Sequence, residues 1–315
     1  MVSHRPMKSP AILTLTINPA LDMAAEAAAV RPVHKIRTFG EHCDPGGGGI
    51  NVARVVHELG GDALALFASG GASGQLIENM LSDTGIPYRS VPIAGVTRVS
   101  FTVRDRSSGL EYRFVPQGPE LSAADGEKIL AALSEFDANW IVASGSLPPG
   151  VAPDFYARAA SIAKMRGARF VLDTSGPALK AALRHGVDLL KPSLGEFESI
   201  VGREVRDPQS QAREARELIR SGAARMIALT LGRDGAMLVT NDNVIRIPAI
   251  EVVEKSAVGA GDSFLAGLVL GLARGQSDKE ALQLAIAAAA AAVSSPGTAH
   301  VRRTLVETLL ARGPA

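Results

Sequence analysis

The 315-residue chain has a single cysteine, Cys43, so no disulfide can form within it. That absence suits a reducing cytoplasm, and Cys43 reads as a small buried or half-buried residue rather than a reactive thiol. A surplus of one charge is missing too. The 33 Lys and Arg against 32 Asp and Glu leave a net charge of +1, which excludes nucleic acid or an anionic membrane as an obvious partner. No apolar run reaches the roughly 20 residues needed to span a bilayer. Ala281 to Val293 falls short and is alanine-rich, so it reads as a buried helix packed closely against its neighbours. Ile12 to Ile17 is too short for the apolar region of a signal peptide, and residues 1–9 read as a disordered tail. His34, His42, His57 and His185 lack metal-ligand spacing and read as structural or surface residues. Repeats and low-complexity tracts are absent.

What is present is a chain 46% hydrophobic and 21% charged, enough to bury the core of one large domain. Apolar strand-like runs at Ile12–Ile17, Ala63–Ala68, Trp140–Ala143, Phe170–Leu172, Val187–Leu190 and Met226–Leu229 are each followed by helix-period segments. Those helices are expected at about 49–60, 72–83, 122–134, 153–166, 176–185 and 208–220. Such alternation predicts an α/β fold whose mostly parallel sheet is covered on both faces. Ligands then sit beyond the carboxyl ends of the strands. Asn18 to Asp22, Ser144 to Gly150, and Asp173 fall there. Lys35–Glu41, Val99–Arg104 and Tyr112–Val115 alternate as short strands without helices between them. They predict a small antiparallel sheet, either a lid over the site or an edge extension.

Two motifs carry chemistry. In Val258-Gly259-Ala260-Gly261-Asp262-Ser263, small residues lead into an apolar helix, so backbone N–H groups and the positive dipole end favour a phosphate. Asp262 would repel that anion unless it accepts a proton from an attacking hydroxyl; read alone, it equally caps the helix. Pro45-Gly46-Gly47-Gly48-Gly49-Ile50-Asn51 opens a second helix that stops at Gly60-Gly61. The loop brings backbone close to a small polar ligand, and Asn51 can both donate and accept there. This second loop fits neither the common dinucleotide nor the Walker pattern.

Together the two loops resemble the paired signatures of the ribokinase-like PfkB carbohydrate kinases, and the likeness runs from Thr16 to Thr298. The four-glycine loop with Asn51-Val-Ala-Arg54 is most similar to the minor-type 6-phosphofructokinase branch. The 1-phosphofructokinase and tagatose-6-phosphate kinase branches usually carry lysine at the position of Gly48. The resemblance implies a ribokinase-like domain over 10–315, with lid strands at about 33–43 and 96–116. It implies ATP and Mg²⁺ as cofactors, fructose 6-phosphate or a related sugar phosphate as substrate, and a homodimer formed through the lid.

It also assigns roles. Asp262 is the general base, and the N–H groups of Gly259, Ala260 and Gly261 form the anion hole. Asp22, Gly47, Gly48 and Asn51 hold the sugar; the alternative for Asp22 is a loop-capping Asx turn. Arg98, Arg113 and Lys35 hold the sugar phosphate with help from Ser146, because guanidinium forks suit phosphate. On the nucleotide side stand Lys191 and Ser193, then Thr230, Gly232 and Gly235, with Ser295 bordering adenine. Glu196 organises the metal, usually through water. Ser193 replaces a usual Asn, which implies retained but altered metal affinity. Ala257 stands where Thr is common, which leaves a K⁺ loop around Ser256 and Val258 open. A catalytically silent sensor of sugar phosphates is the competing class; it would need the anion loop but not the base.

Overall fold

In the computed structural model, which describes residues 11–295 and 297–313, nine strands form one sheet. The expected tail at 1–9 and the outermost residues of the 10–315 span lie outside the described residues, as does Pro296. The chain begins β1 (Ile12–Thr16), β2 (Ala20–Ala27), β3 (Thr38–Gly46), α1 (Gly48–Glu58), β4 (Ala63–Ser69), α2 (Gly71–Asp83) and β5 (Tyr88–Pro92). It continues through β6 (Arg98–Asp105), β7 (Glu111–Phe114), α3 (Ala123–Ser134), β8 (Trp140–Ser144), α4 (Phe155–Met165), β9 (Arg169–Asp173) and α5 (Gly176–His185). Then follow β10 (Val187–Leu190), α6 (Leu194–Val201), α7 (Pro208–Arg220), β11 (Ala224–Thr230), β12 (Ala236–Val239) and β13 (Val244–Ile247). The last three helices are α8 (Ala260–Ala273), α9 (Asp278–Val293) and α10 (Arg303–Arg312).

The large sheet runs β13-β12-β11-β10-β9-β8-β1-β4-β5. It is parallel from β11 to β5, with an antiparallel edge at β12 and β13. Side chains alternate between two apolar layers: Ile12 joins Ile50, Leu265 and Ala285 on one face, while Leu13 joins Ile129, Tyr156 and Leu179 on the other. That is the two-sided burial expected of parallel strands.

Helices α8 and α9 pack unusually closely. A Cβ on Gly267 would sit 2.9 Å from the Cα of Ala285, so only glycine facing alanine permits the approach. The alanine run of α9 is the complement of that glycine, and the pair fixes where the first turn of α8 projects.

The small sheet runs β3-β2-β6-β7. Its β2–β3 and β6–β7 pairs are antiparallel, whereas β2 and β6 pair in parallel because a whole α/β excursion separates them in sequence. Two features differ from expectation. Ala20–Ala27 is a strand of this sheet that sequence periodicity did not single out, and β3 starts at Thr38, where it pairs with Ala27. Lys35 therefore lies on the exposed loop before β3, not on a strand.

Candidate active site

Both glycine-led helices start beyond the carboxyl edge of the large sheet. Gly47 precedes α1 with φ 111°, a conformation closed to most side chains. Thr16 at the end of β1 ties the turn down, accepting the Ile50 N–H at 3.0 Å. This places Asn51 in the first turn of α1, 4% exposed. Its Nδ2 donates to Oδ2 of Asp262 at 2.8 Å.

Asp262 stands in the first turn of α8, behind Gly259 in the left-handed region at φ 78°. The N–H groups of Gly259 and Gly261 find no acceptor among the described residues, and that of Ala260 makes only a 3.4 Å bond to the Ala257 carbonyl. The loop is thus an anion cradle with a carboxylate at its rim. Burial raises the Asp262 carboxyl to about 7, and the neighbouring Asp173 and Asp22 carboxylates push the same way. The Asn51 hydrogen bond and the Lys191 ammonium oppose them. A carboxylate poised near neutrality suits proton acceptance far better than helix capping does, and no capping bond from Asp262 is formed.

Asp262, Gly48, Ser144, Ser146, Asp173 and Glu196 line one cavity of about 260 Å³. Lys191 enters beside it, its Nζ 3.1 Å from Asp173 Oδ1. Burial alone would lower the Lys191 ammonium, but Asp173 and Glu196 outweigh it and hold it above its ordinary value. Ser193 and Glu196 form a capping box on α6: Oε2 of Glu196 accepts from the Ser193 N–H at 2.8 Å and from its hydroxyl at 2.9 Å. Oε1 of Glu196 is left without a partner among the described residues.

The small sheet borders the opposite side of the site. Burial raises the carboxyl of Asp22 on β2 above the usual range, while Ser100, its neighbour across the sheet, and the nearby Arg113 and Arg98 pull it down. Arg98 is anchored through Nη1 to the Pro116 carbonyl (2.8 Å) and through Nη2 to the Asn18 carbonyl (2.9 Å), leaving a buried Nε without a partner. Asn18 in turn reaches Ser146 Oγ at 3.4 Å. The structure thus gathers Asp22, Gly48, Asn51, Arg98, Arg113, Ser146 and Asp262, but not Lys35.

On the far side, Thr230 bridges to Ser193 and donates its hydroxyl to the Pro192 carbonyl at 3.3 Å, bringing the β11 turn of Gly232 and Gly235 beside α6. The Ser256 hydroxyl accepts the Val258 N–H at 3.2 Å, and the Ser256 N–H donates to the Val293 carbonyl. Ser295 directs its hydroxyl back to Ala291, so this side chain is engaged in ending α9.

Sequence reasoning did not single out Asp44 or His300, although Asp44 directly precedes the glycine loop. Arg54 lies on α1 one turn after Asn51. It donates through Nη1 to Asn51 Oδ1 (3.2 Å), the Pro45 carbonyl (3.0 Å) and the Thr298 carbonyl (3.3 Å), with Nη2 3.5 Å from Asp44 Oδ1. Asp44 also accepts from the Thr298 N–H (3.3 Å) and meets His300 Nε2 at 3.0 Å. Burial works against its ionisation, yet His300, Arg54 and Thr298 together hold its carboxyl below the usual range. His300 carries no motif that sequence could reveal.

The pfkB family of carbohydrate kinases matches residues 17–305. The chain is 45% identical over 300 residues to the ATP-dependent 6-phosphofructokinase isozyme 2 of Mycobacterium tuberculosis H37Rv, covering 95% of this chain and 88% of that one. It superposes on phosphofructokinase-2 from Escherichia coli in complex with potassium with a TM-score of 0.92 and 36% identity, over 96% and 99% of the two chains. The same enzyme in complex with fructose 6-phosphate gives a TM-score of 0.91 at 35% identity, with the same coverage.

Proposed function

The chain belongs to the pfkB family of carbohydrate kinases, and from that premise we propose that it transfers the γ-phosphoryl group of ATP to the 1-hydroxyl of fructose 6-phosphate. It is a phosphotransferase. The observation that carries the reading is the buried Asp262 carboxylate, shifted to about 7 and standing at an anion cradle.

Asp262 accepts the proton of the sugar hydroxyl as its oxygen attacks phosphorus, and the bond to the β-phosphate oxygen breaks to release ADP. The N–H groups at Gly259 and Gly261 stabilise charge on the transferring group, and Lys191 adds a cation beside it. Ala260 contributes once its long bond to Ala257 yields. Asp22, Gly47 and Asn51 orient the sugar; Arg98, Arg113 and Ser146 bind its phosphate.

No group of three metal-ligating side chains occurs among the described residues. Mg²⁺ does not need one, because it keeps waters and leans on substrate phosphates plus one or two carboxylates. The free oxygen of Glu196 on the cavity wall fits that role. When bound, the ion would neutralise phosphate charge. The turn of Thr230, Gly232 and Gly235, with Lys191 and Ser193, frames the nucleotide. A K⁺ ion beside Ser256 and Val258 belongs to the proposal, as does a homodimer through the small sheet, whose Phe39, Tyr112 and Phe114 are exposed. Activity in KCl against NaCl and sedimentation of Phe114→Asp test these two points.

The deciding experiment measures ADP release against a panel of sugar phosphates. Fructose 6-phosphate should give the highest kcat/KM and yield the 1,6-bisphosphate. A preference for fructose 1-phosphate would reassign the branch, and no turnover with any sugar phosphate would leave a sensor.

A further inference from the structure

The carboxamide of Asn51 has two ends that differ by a proton pattern. Its oxygen accepts and its nitrogen donates, and the two can exchange by a half-turn of the amide. In the structure Nδ2 faces Asp262 and Oδ1 faces Arg54. Only one partner of Asn51 dictates that choice. A guanidinium donates and never accepts, so it admits Oδ1 alone. The Asp262 carboxyl tolerates either end: ionised, it requires a donor; protonated, it can donate to Oδ1.

Arg54 itself is held firmly. Its side chain is 14% exposed, and its donors reach four separate acceptors on the glycine loop, α1, the Thr298 loop and Asp44. Asp44 is 7% exposed and braced by Thr298 and His300. Asn51 and Arg54 are three apart on α1 and so share a face, which puts the guanidinium behind the amide and away from the cavity. Arg54 does not line the cavity that Asp262, Ser144 and Glu196 enclose.

We propose that Arg54 is a positioning residue for phosphoryl transfer, locking the Asn51 amide with its donor end toward Asp262 and so keeping the base ionised and aimed. The proposal deepens the reading of Asp262 as general base and rests on it. Without Arg54 the amide is free to turn. Oδ1 then meets Asp262, an arrangement compatible only with the protonated carboxyl, which cannot accept a proton.

Other charged groups also face Asp262. They are Asp173 at the end of β9, Lys191 after β10, Asp22 on β2 and Glu196 on α6. Arg54 also acts on Asp262 and Asp22 through its charge, so comparison with the Asn51→Ala background is what assigns a shift to the Arg54–Asn51 arm.

The test is the pH dependence of kcat/KM for the sugar phosphate in Arg54→Met, Arg54→Lys, Asn51→Ala and the double variant Arg54→Met/Asn51→Ala. Arg54→Met should lower the rate about tenfold or more on the acid side, within the range general-base catalysis supplies. Its acidic limb should move to higher pH, and the rate should recover toward wild type at alkaline pH. Arg54→Lys keeps a donor and a charge and should restore much of the limb. In the Asn51→Ala background, Arg54→Met should move the limb no further.

A loss in Arg54→Met that is equal at every pH overturns the proposal, because it marks a purely structural role. An equal shift with and without Asn51 also overturns it, since the guanidinium would then act directly through its charge. If Arg54→Met fails to fold, Arg54→Lys and Asn51→Ala decide: an acidic limb unmoved in both overturns the proposal. Asp262→Asn separates this inference from its premise. Should that variant keep turnover, the base assignment falls whatever Arg54 does.

Discussion

The Nζ of Lys191 stands 3.1 Å from Oδ1 of Asp173, and the pair flanks the Asp262 carboxylate from opposite signs of charge. The negative member pushes the Asp262 carboxyl up and the positive member pulls it down. Removing either one should therefore displace the base in a known direction. Asp173→Asn should move the acidic limb of kcat/KM to lower pH, and Lys191→Met should move it higher. Lys191→Met also strands a buried carboxylate, at a stability cost of about 3–5 kcal/mol. Shifts in the same direction for both variants would show that geometry, not charge, governs Asp262.

A base shifted to about 7 leaves a thermodynamic trace. In the unfolded chain the Asp262 carboxyl ionises near its ordinary value of 3.8. Between those values the folded state holds a proton that the unfolded state has lost, so stability falls as pH rises through this window and levels off above it. The upper bound is about 4 kcal/mol, from roughly 1.4 kcal/mol per pH unit. Asp262→Asn removes the ionisation. It should unfold at a higher temperature than wild type at pH 8, converge with it near pH 4, and lose turnover by about 10²-fold to 10⁴-fold. Near-normal kcat in the folded variant would sink the assignment; matching melting curves at pH 8 would show that the carboxyl is not buried at neutral pH.

Much of this site was legible because loop chemistry and sheet topology agree. Gly259–Asp262 and Gly47–Asn51 each pair a glycine turn with a helix-period run, and a parallel sheet puts such turns at one edge. The lid was legible only in part. Its β2 strand, Ala20–Ala27, is rich in alanine and carries Asp22 and Glu26, so no period-2 contrast marks it. Lys35 was placed on a strand because polar residues alternate through Lys35–Glu41, yet the partner strand ends at Ala27, opposite Thr38. The Asp44–His300 contact joins residues 256 positions apart. Local pattern carries no trace of such a pairing.

Gly48 offers a test of the branch assignment that does not depend on substrate preference. A Cβ at this position would lie 2.9 Å from Cβ of Ser144 and 3.1 Å from Oδ1 of Asp262, and would overlap the Ser144 hydroxyl. Even alanine must displace one of them. Gly48→Ala should fold but lose at least about tenfold in kcat, since an ångström of misplacement near the reacting atoms is costly. Adding Ser144→Gly opens the space and should restore a large part of the loss. If Gly48→Ala is silent, the loop yields on its own, and glycine here reflects ancestry rather than a spatial need.

Arg113 and Arg98 face Asp22 from neighbouring strands of the small sheet, but they are differently placed to bind a phosphate. Arg98 has both terminal nitrogens on backbone carbonyls, so its truncation also loosens the Asn18 and Pro116 segments. Arg113 has no such anchor among the described contacts, and its substitution is the cleaner probe. Arg113 is exposed in this structure, so Arg113→Ala should raise KM for fructose 6-phosphate by an amount equivalent to about 1.5–3 kcal/mol, the range for a hydrogen bond to a charged group. KM for ATP should hardly move, because the proposal places the nucleotide against α6 and the β11 turn. Unphosphorylated fructose has no phosphate for Arg113 to hold, so its poor turnover should respond little. That contrast separates a phosphate contact from a general loosening of the lid, which would slow both sugars alike. If Arg113→Ala instead raises only the KM for ATP, the small sheet belongs to the nucleotide, and the orientation of the sugar must be reversed.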